Sequence, residues 1–142
     1  MKTTPTNRVE ISFAALDASR EDAVILFAGK DMALSNLGRS LDEASEGALV
    51  ASATAADFKG KSKSFIDVLA PRGLKEARVL LCGVGASKDA KENDWVNLGG
   101  AIMGQLLSRK VTSASVVAEA PLDSPEMTAE LATAVALGAQ LR

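Results

Sequence analysis

The stretch Arg78-Val-Leu-Leu-Cys-Gly-Val-Gly85 constrains this chain more than any other. An unbroken apolar run, Val79 to Cys82, stands between a charge and two glycines. Such a run reads as a strand buried on both faces, and strands of that kind lie inside a sheet with helices on either side. Leu80 and Leu81 are therefore expected on opposite faces, each beneath a helix layer. The glycines then turn the chain out of the sheet, toward a helix that starts near Glu92.

The flanking sequence alternates strands with helices. Val9, Ile11 and Phe13 share one face of a half-buried edge strand over Arg8–Phe13. Ala23 to Phe27, wholly apolar, predicts a second and more central strand. Leu34, Leu37, Leu41, Ala44 and Ala48 recur at steps of three and four, which predicts one helix reaching Ala56 with Ser35 as its N-cap. Gly38 and Gly47 each weaken that helix by about 1 kcal/mol relative to Ala. Phe58-Lys-Gly-Lys-Ser-Lys63 forms a basic turn before a third strand, Ser64 to Leu69, and Pro71-Arg-Gly73 turns into the central strand. After a polar loop, Ala86 to Lys91, Trp95, Leu98, Ile102 and Leu106 mark a helix stripe. Gly99, Gly100 and Gly104 within it let a neighbouring backbone approach closely. Ser113 to Glu119 is a fifth strand. Ser124 and Pro125 start a last helix, a capping side chain followed by proline at the first helical position. Met127, Leu131, Val135 and Gly138 continue its inner face, and no stop signal follows Leu141-Arg142. This order predicts a three-layer α/β/α sandwich around a mixed, largely parallel sheet of about five strands.

Composition narrows the function classes. A chain of 142 residues supports one domain with a substantial core. Hydrophobic residues are 47% and aromatic ones 4%, so that core is aliphatic. A net charge of −2 gives no global attraction to nucleic acid or to an anionic membrane. No apolar stretch approaches the ~20 residues of a membrane span. Met1-Lys-Thr-Thr-Pro5 lacks the apolar segment of a signal peptide. The lone Cys82 makes no internal disulfide, in keeping with a reducing compartment, and a cytoplasmic protein is expected. The chain has no histidine, which removes the commonest general base and the commonest zinc ligand.

The candidate motifs reduce to structural features. Gly83-Val84-Gly85 after a strand suggests dinucleotide binding, but Lys88 stands where the third glycine belongs. Gly60-Lys61-Ser62 looks like the end of a phosphate-binding loop. However, Ala55 replaces its first glycine, and the segment leads from helix to strand rather than the reverse. Lys59, Lys61 and Lys63 without interleaved aromatics read as a solvated basic turn. Cys82 lies in an apolar run where a thiol is inert, and Trp95 belongs to the helix–sheet core. Asp42, Glu43 and Glu46 are expected to face water. No cluster has metal-ligand spacing, so no catalytic, cofactor-binding or metal residue is assigned.

Several segments together resemble the N-terminal domain of the leucyl aminopeptidases, the cytosolic metallopeptidases. They are Asp22-Ala-Val-Ile-Leu-Phe-Ala28, Leu41-Asp-Glu-Ala-Ser-Glu-Gly47, Phe58-Lys-Gly-Lys61, Ala77-Arg-Val-Leu-Leu-Cys-Gly-Val-Gly85, Leu98-Gly-Gly-Ala-Ile102 and Glu130 to Arg142. The resemblance implies a macro-domain-like α/β/α fold, with residues 1–142 as a single N-terminal domain of a longer chain whose catalytic domain is absent. It also implies two divalent metals, zinc or manganese, held by the missing C-terminal domain, with peptides as substrates there. The partners it implies are that catalytic domain and further copies in a homo-hexamer, with no membrane partner. Nucleic-acid binding, known in some bacterial members, finds no support in the acidic balance here. The alternatives are a macro-like nucleotide or ADP-ribose binding module and a DNA-contacting module.

Overall fold

The structure, a computed structural model, describes residues 10–12, 21–85, 92–119 and 129–141. Along it run β1 (Ala23–Gly29), α1 (Asn36–Ala44), α2 (Ala48–Ala55), β2 (Phe65–Leu69), β3 (Arg78–Gly85), α3 (Glu92–Ser108), β4 (Ala114–Val117) and α4 (Ala129–Leu141). A 3-10 turn, Lys30–Met32, follows β1. The sheet order is β2-β3-β1-β4. β1 pairs in parallel with β3 and β4, while β2 runs antiparallel to β3.

Strand periodicity divides the apolar side chains between two cores. Val24, Leu26, Val79 and Leu81 pack on one face with Leu41 of α1, Leu49 and Ala53 of α2, and Phe58. Ile25, Phe27, Leu80 and Cys82 pack on the other with Trp95, Leu98, Ile102 and Leu106 of α3 and Val135 of α4. Leu80 is 1% exposed and Leu81 0%, so the central strand is covered on both faces as expected. The fold is a three-layer α/β/α sandwich with a mixed, largely parallel sheet.

Two expectations change. Among the described residues the sheet has four strands, not about five. The strand expected over Arg8–Phe13 falls mostly outside the described residues, and 10–12 carry no strand pairing. Alternation states which side chains prefer burial but supplies no ladder partner.

The single helix expected up to Ala56 is two helices. Glu46 and Gly47 both adopt left-handed φ, 57° and 80°. The Gly47 N–H donates to the Asp42 carbonyl at 2.8 Å and the Glu46 N–H to the Glu43 carbonyl at 3.0 Å. That pair of bonds is a Schellman closure, which ends α1 and redirects the chain. Ala44, expected on the buried stripe, is consequently exposed. Ser35 caps α1 as expected, its Oγ accepting from the Gly38 N–H at 3.2 Å.

Of the α3 glycines, Gly99 acts as the sequence suggests, while Gly100 has room for a Cβ. A Cβ on Gly99 would run into the Val135 carbonyl oxygen of α4, and one on Gly138 into the Val96 carbonyl oxygen of α3. The two helix backbones meet reciprocally at these positions. The Ala86–Lys91 loop and the helix start at Ser124 and Pro125 lie outside the described residues. Among the described residues no helix is long and apolar enough to cross a membrane.

Candidate functional site

Open α/β sheets bind ligands outside the carboxyl ends of their strands, where neighbouring parallel strands send the chain to opposite faces. Here β1 and β3 are that pair. The helices after β1 cover one face, and α3, the first helix after β3, covers the other. The pairing Ala28↔Gly83 is followed by Gly29↔Gly85, a register shift that leaves Val84 unmatched. A bulge of this kind bends a strand end and re-aims its groups.

The segment from Phe58 to Ser64 lies across these two strand ends. Phe58, buried in the α1/α2 core, anchors its start. The Gly85 N–H donates to the Gly60 carbonyl at 2.8 Å, and the Gly83 N–H donates to the Ser64 carbonyl at 2.8 Å. The Lys63 N–H returns a bond to the Gly83 carbonyl at 3.0 Å, and the Asp31 N–H, just beyond β1, reaches the Lys59 carbonyl at 3.0 Å. Position 60 requires glycine twice over. Its φ is 74°, and a Cβ there would enter the Gly29 carbonyl oxygen. A Cβ on Gly83 would similarly strike the Lys61 carbonyl oxygen. The backbone faces the sheet, and Lys59, Lys61 and Lys63 are left exposed, as the sequence indicates.

The other candidates take structural roles. Gly60-Lys61-Ser62 lies between α2 and β2, the wrong order for a phosphate-binding loop. The Cys82 thiol is fully buried, and that burial pushes its pKa up to about 12, so it is a thiol and no thiolate nucleophile at neutral pH. Trp95 packs on Phe27 with ring centroids 6.2 Å apart. Glu43 and Glu46 are exposed as expected, but Asp42 is half-buried. Its Oδ1 accepts the Val50 N–H at 3.0 Å. The break at Glu46 and Gly47 brings the free N–H groups of α2 within reach of this carboxylate, so Asp42 acts as a cap supplied by the preceding helix.

Two polar features escaped the sequence reading. Asp67 in β2 accepts a hydrogen bond from Arg109 Nε at 2.9 Å, just beyond α3. It also lies 3.0 Å from Arg78 Nε, without hydrogen-bonding geometry. The group ties edge strand β2 to the end of α3. An acid inside the apolar run Phe65–Leu69 was the available signal, since a half-buried carboxylate needs a cation. Glu119, after β4, accepts the Leu37 N–H at 2.9 Å and so helps cap α1. Nothing in its spacing announces that role.

Among the described residues no group of three or more His, Cys, Asp or Glu could hold a metal ion. Two broad surface depressions, of about 350 and 410 Å³, lie beside Met32, Arg39 and Asp42 and beside Lys63, Asn97 and Leu141. Neither is lined by the glycines at the sheet end.

Comparison with known proteins adds the context of the whole chain. The model of the cytosol aminopeptidase family, N-terminal domain, matches residues 23–142. A probable cytosol aminopeptidase of Afipia carboxidovorans is 33% identical over 137 residues, covering 96% of this chain and 27% of that protein. One from Rhodopseudomonas palustris strain BisB5 is 36% identical over 135 residues, covering 94% of this chain and 26% of that protein. A mutant of tomato leucine aminopeptidase shares the fold, with a TM-score of 0.66 at 23% identity, over 95% of this chain and 29% of that one. The chain thus spans about a quarter of the length of the curated relatives it matches.

Proposed function

The chain belongs to the cytosol aminopeptidase family, as its N-terminal domain, and from that membership we propose that it is the noncatalytic domain of a metal-dependent leucyl aminopeptidase. The family match over residues 23–142 carries this reading. The relatives' greater length leaves room for a catalytic domain elsewhere in the parent protein.

The chemistry of the residues present supports the division of labour. Hydrolysis of a peptide by metal-activated water needs several ligands converging on an open position and a group that stabilises the developing oxyanion. This chain has no histidine, its one cysteine is buried as the neutral thiol, and its described carboxylates do not cluster. These residues do not fit a two-metal site. The reading therefore assigns the zinc or manganese ions and the removal of N-terminal residues from peptides to a C-terminal domain outside this chain. Assembly, in a homo-hexamer, and access to the active site are the roles left to this domain, in a cytoplasmic protein. Nucleic acid is not a partner in this reading, because the net charge is −2 and phosphate contacts supply most nonspecific affinity.

The test is a paired assay of leucine p-nitroanilide turnover with manganese, on this chain and on the natural full-length protein. Turnover is expected only from the latter. Metal-dependent turnover by the 142-residue chain that survives further purification would sink the noncatalytic assignment. A full-length protein that folds, takes up metal and stays inactive would sink the aminopeptidase assignment.

A further inference from the structure

We propose that residues 58–64 are a built-in plug: the chain's own backbone occupies the crevice where this sheet topology would otherwise seat a phosphate-bearing ligand. The position is set by connectivity. β1 and β3 are adjacent and parallel, and the chain leaves them for opposite faces, which opens a crevice between Gly29 and Gly83–Gly85. Backbone N–H groups at such strand ends are the usual donors to phosphate oxygens. Here the last donor of β3 is committed: the Gly85 N–H bonds to the Gly60 carbonyl oxygen at 2.8 Å. The Gly83 N–H bond to Ser64, also at 2.8 Å, continues the β2–β3 ladder by one rung and fixes the end of the plug. A carbonyl oxygen of the plug stands in for that of a phosphate.

The space is filled as well as the bonds. Gly60 is buried, and a Cβ on it would enter the Gly29 carbonyl. A Cβ on Gly83 would lie 2.7 Å from the carbonyl carbon of Gly60. Backbone is packed on backbone across the crevice, with no room for a pyrophosphate between them. Phe58 holds one end of the plug in the α1/α2 core, and Ser64 passes directly into β2 at the other. The Asp31 N–H bond to Lys59 adds the exit of β1. The crevice thus becomes a joint holding β1, β2 and β3, and the three lysines are carried outward on a loop whose backbone is fixed. The same arrangement closes the macro-like alternative by a physical route: a nucleotide would have to displace the plug before it met a donor.

Amide exchange and ligand titration, both followed by two-dimensional NMR on this chain, test the plug. The Gly83 and Gly85 amides are expected to exchange at least 100-fold more slowly than unstructured glycine. ADP-ribose or inorganic pyrophosphate at millimolar concentration should leave both resonances in place. Replacing all three lysines (K59A, K61A, K63A) should preserve that protection, because the backbone seats the plug. Gly60→Ala should lower it at least 10-fold at Gly85 while the Leu80 and Leu81 amides keep theirs. Saturable micromolar binding of either ligand to the parent chain, with shifts at Gly83 and Gly85, would overturn the proposal. So would an unprotected Gly85 amide in the parent, or loss of its protection in the triple lysine variant. These readouts stand even if Gly60→Ala does not fold.

Discussion

On one side of the sheet lie α1 and α2, 9 and 8 residues long; on the other lie α3 and α4, 17 and 13 residues long. The short pair is attached through side chains. Leu41, Leu49 and Ala53 reach the strands, while Ser35, Glu119 and Asp42 accept N–H bonds from the first turns of α1 and α2. The long pair adds a different device. Gly99 and Gly138 bring the two helix backbones together so closely that neither position admits a Cβ. Short helices have few turns over which to bury apolar surface, so satisfied ends matter more to them. Long helices gain from continuous contact, at the cost of tolerance at the contact itself.

The largest effect should come from what both sides depend on. Leu80 and Leu81 face opposite helix layers, each packed in an apolar cluster. Leu80→Asp and Leu81→Asp should each unfold the domain, because a buried unpaired carboxylate costs several kcal/mol against a typical total of about 5–15. Circular dichroism melts of the two variants check this. Parent-like melting of either one would mean that its face is open to water.

The contrast between the sides is tested by adding a single methyl group. Gly138→Ala should cost about 1–3 kcal/mol, because the new Cβ meets a backbone carbonyl that cannot step aside alone. Gly100→Ala is the internal control on the same helix pair. Its Cβ would lie 3.6 Å from the Gly138 carbonyl oxygen, an ordinary contact, so helix propensity should stabilise it by about 0.5–1 kcal/mol. On the other side, a Cβ at Gly47 meets nothing within 4 Å. Gly47→Ala should therefore cost only its left-handed φ, about 1 kcal/mol. Urea midpoints rank the three. Equal losses at positions 100 and 138 would show that the helices are not interlocked.

These cases also mark what the sequence disclosed. The two central strands are legible because Ala23–Ala28 and Val79–Cys82 are unbroken apolar runs, and the α3 stripe because Trp95, Leu98, Ile102 and Leu106 keep helical spacing. The close helix approach is legible because glycine has few other reasons to stand inside a helix. The break after Ala44 is concealed. Its first left-handed position is Glu46, a residue that signals helix continuation, and only the second, Gly47, hints at a turn. The plug at the sheet end is equally hidden. Its bonds run from backbone to backbone between segments distant in sequence, and no periodicity encodes them. Caps such as Glu119 on α1 share that difficulty, since a carboxylate far along the chain has no local signature.

Cys82 offers a pH test of the α3/α4 core alone. Its thiol has a raised pKa of about 12 when folded, against about 8.5–9 in an unfolded chain. Folding is thus favoured while the unfolded thiol keeps its proton, and the contribution is lost as pH rises from about 9 toward 12. Over that window the unfolded chain binds fewer protons, and stability should fall by about 1.4 kcal/mol per pH unit from this group. Urea unfolding at pH 8 and pH 10 should show the parent losing about 1.5 kcal/mol more than Cys82→Ala over the same interval. Equal losses would place the thiol in contact with water.

The smallest effect should be shared by the two sides, because they end their helices in the same way. α2 closes with the Asp57 N–H on the Thr54 carbonyl and the Phe58 N–H on the Ala53 carbonyl; α3 closes with Lys110 on Leu107 and Val111 on Leu106. Both are Schellman closures, and both put a residue other than glycine at the left-handed position, with φ of 55° at Asp57 and 57° at Lys110. Glycine would relieve a strain of about 1–2 kcal/mol at each and return part of it as extra freedom in the unfolded chain. Both side chains are exposed, and the Lys59–Asp57 pair at 3.8 Å is too open to water to resist the change. Asp57→Gly and Lys110→Gly should therefore each stabilise the domain by about 0.5–1 kcal/mol. Asp57→Gly should gain more, because a negative charge at a helix C-terminus opposes the macrodipole whereas a lysine there favours it. Urea midpoints that fall in both variants would mean that these closures depend on the side chains they carry. A larger gain for Lys110→Gly would mean that backbone strain at the end of α3 outweighs the charge difference between the two sites.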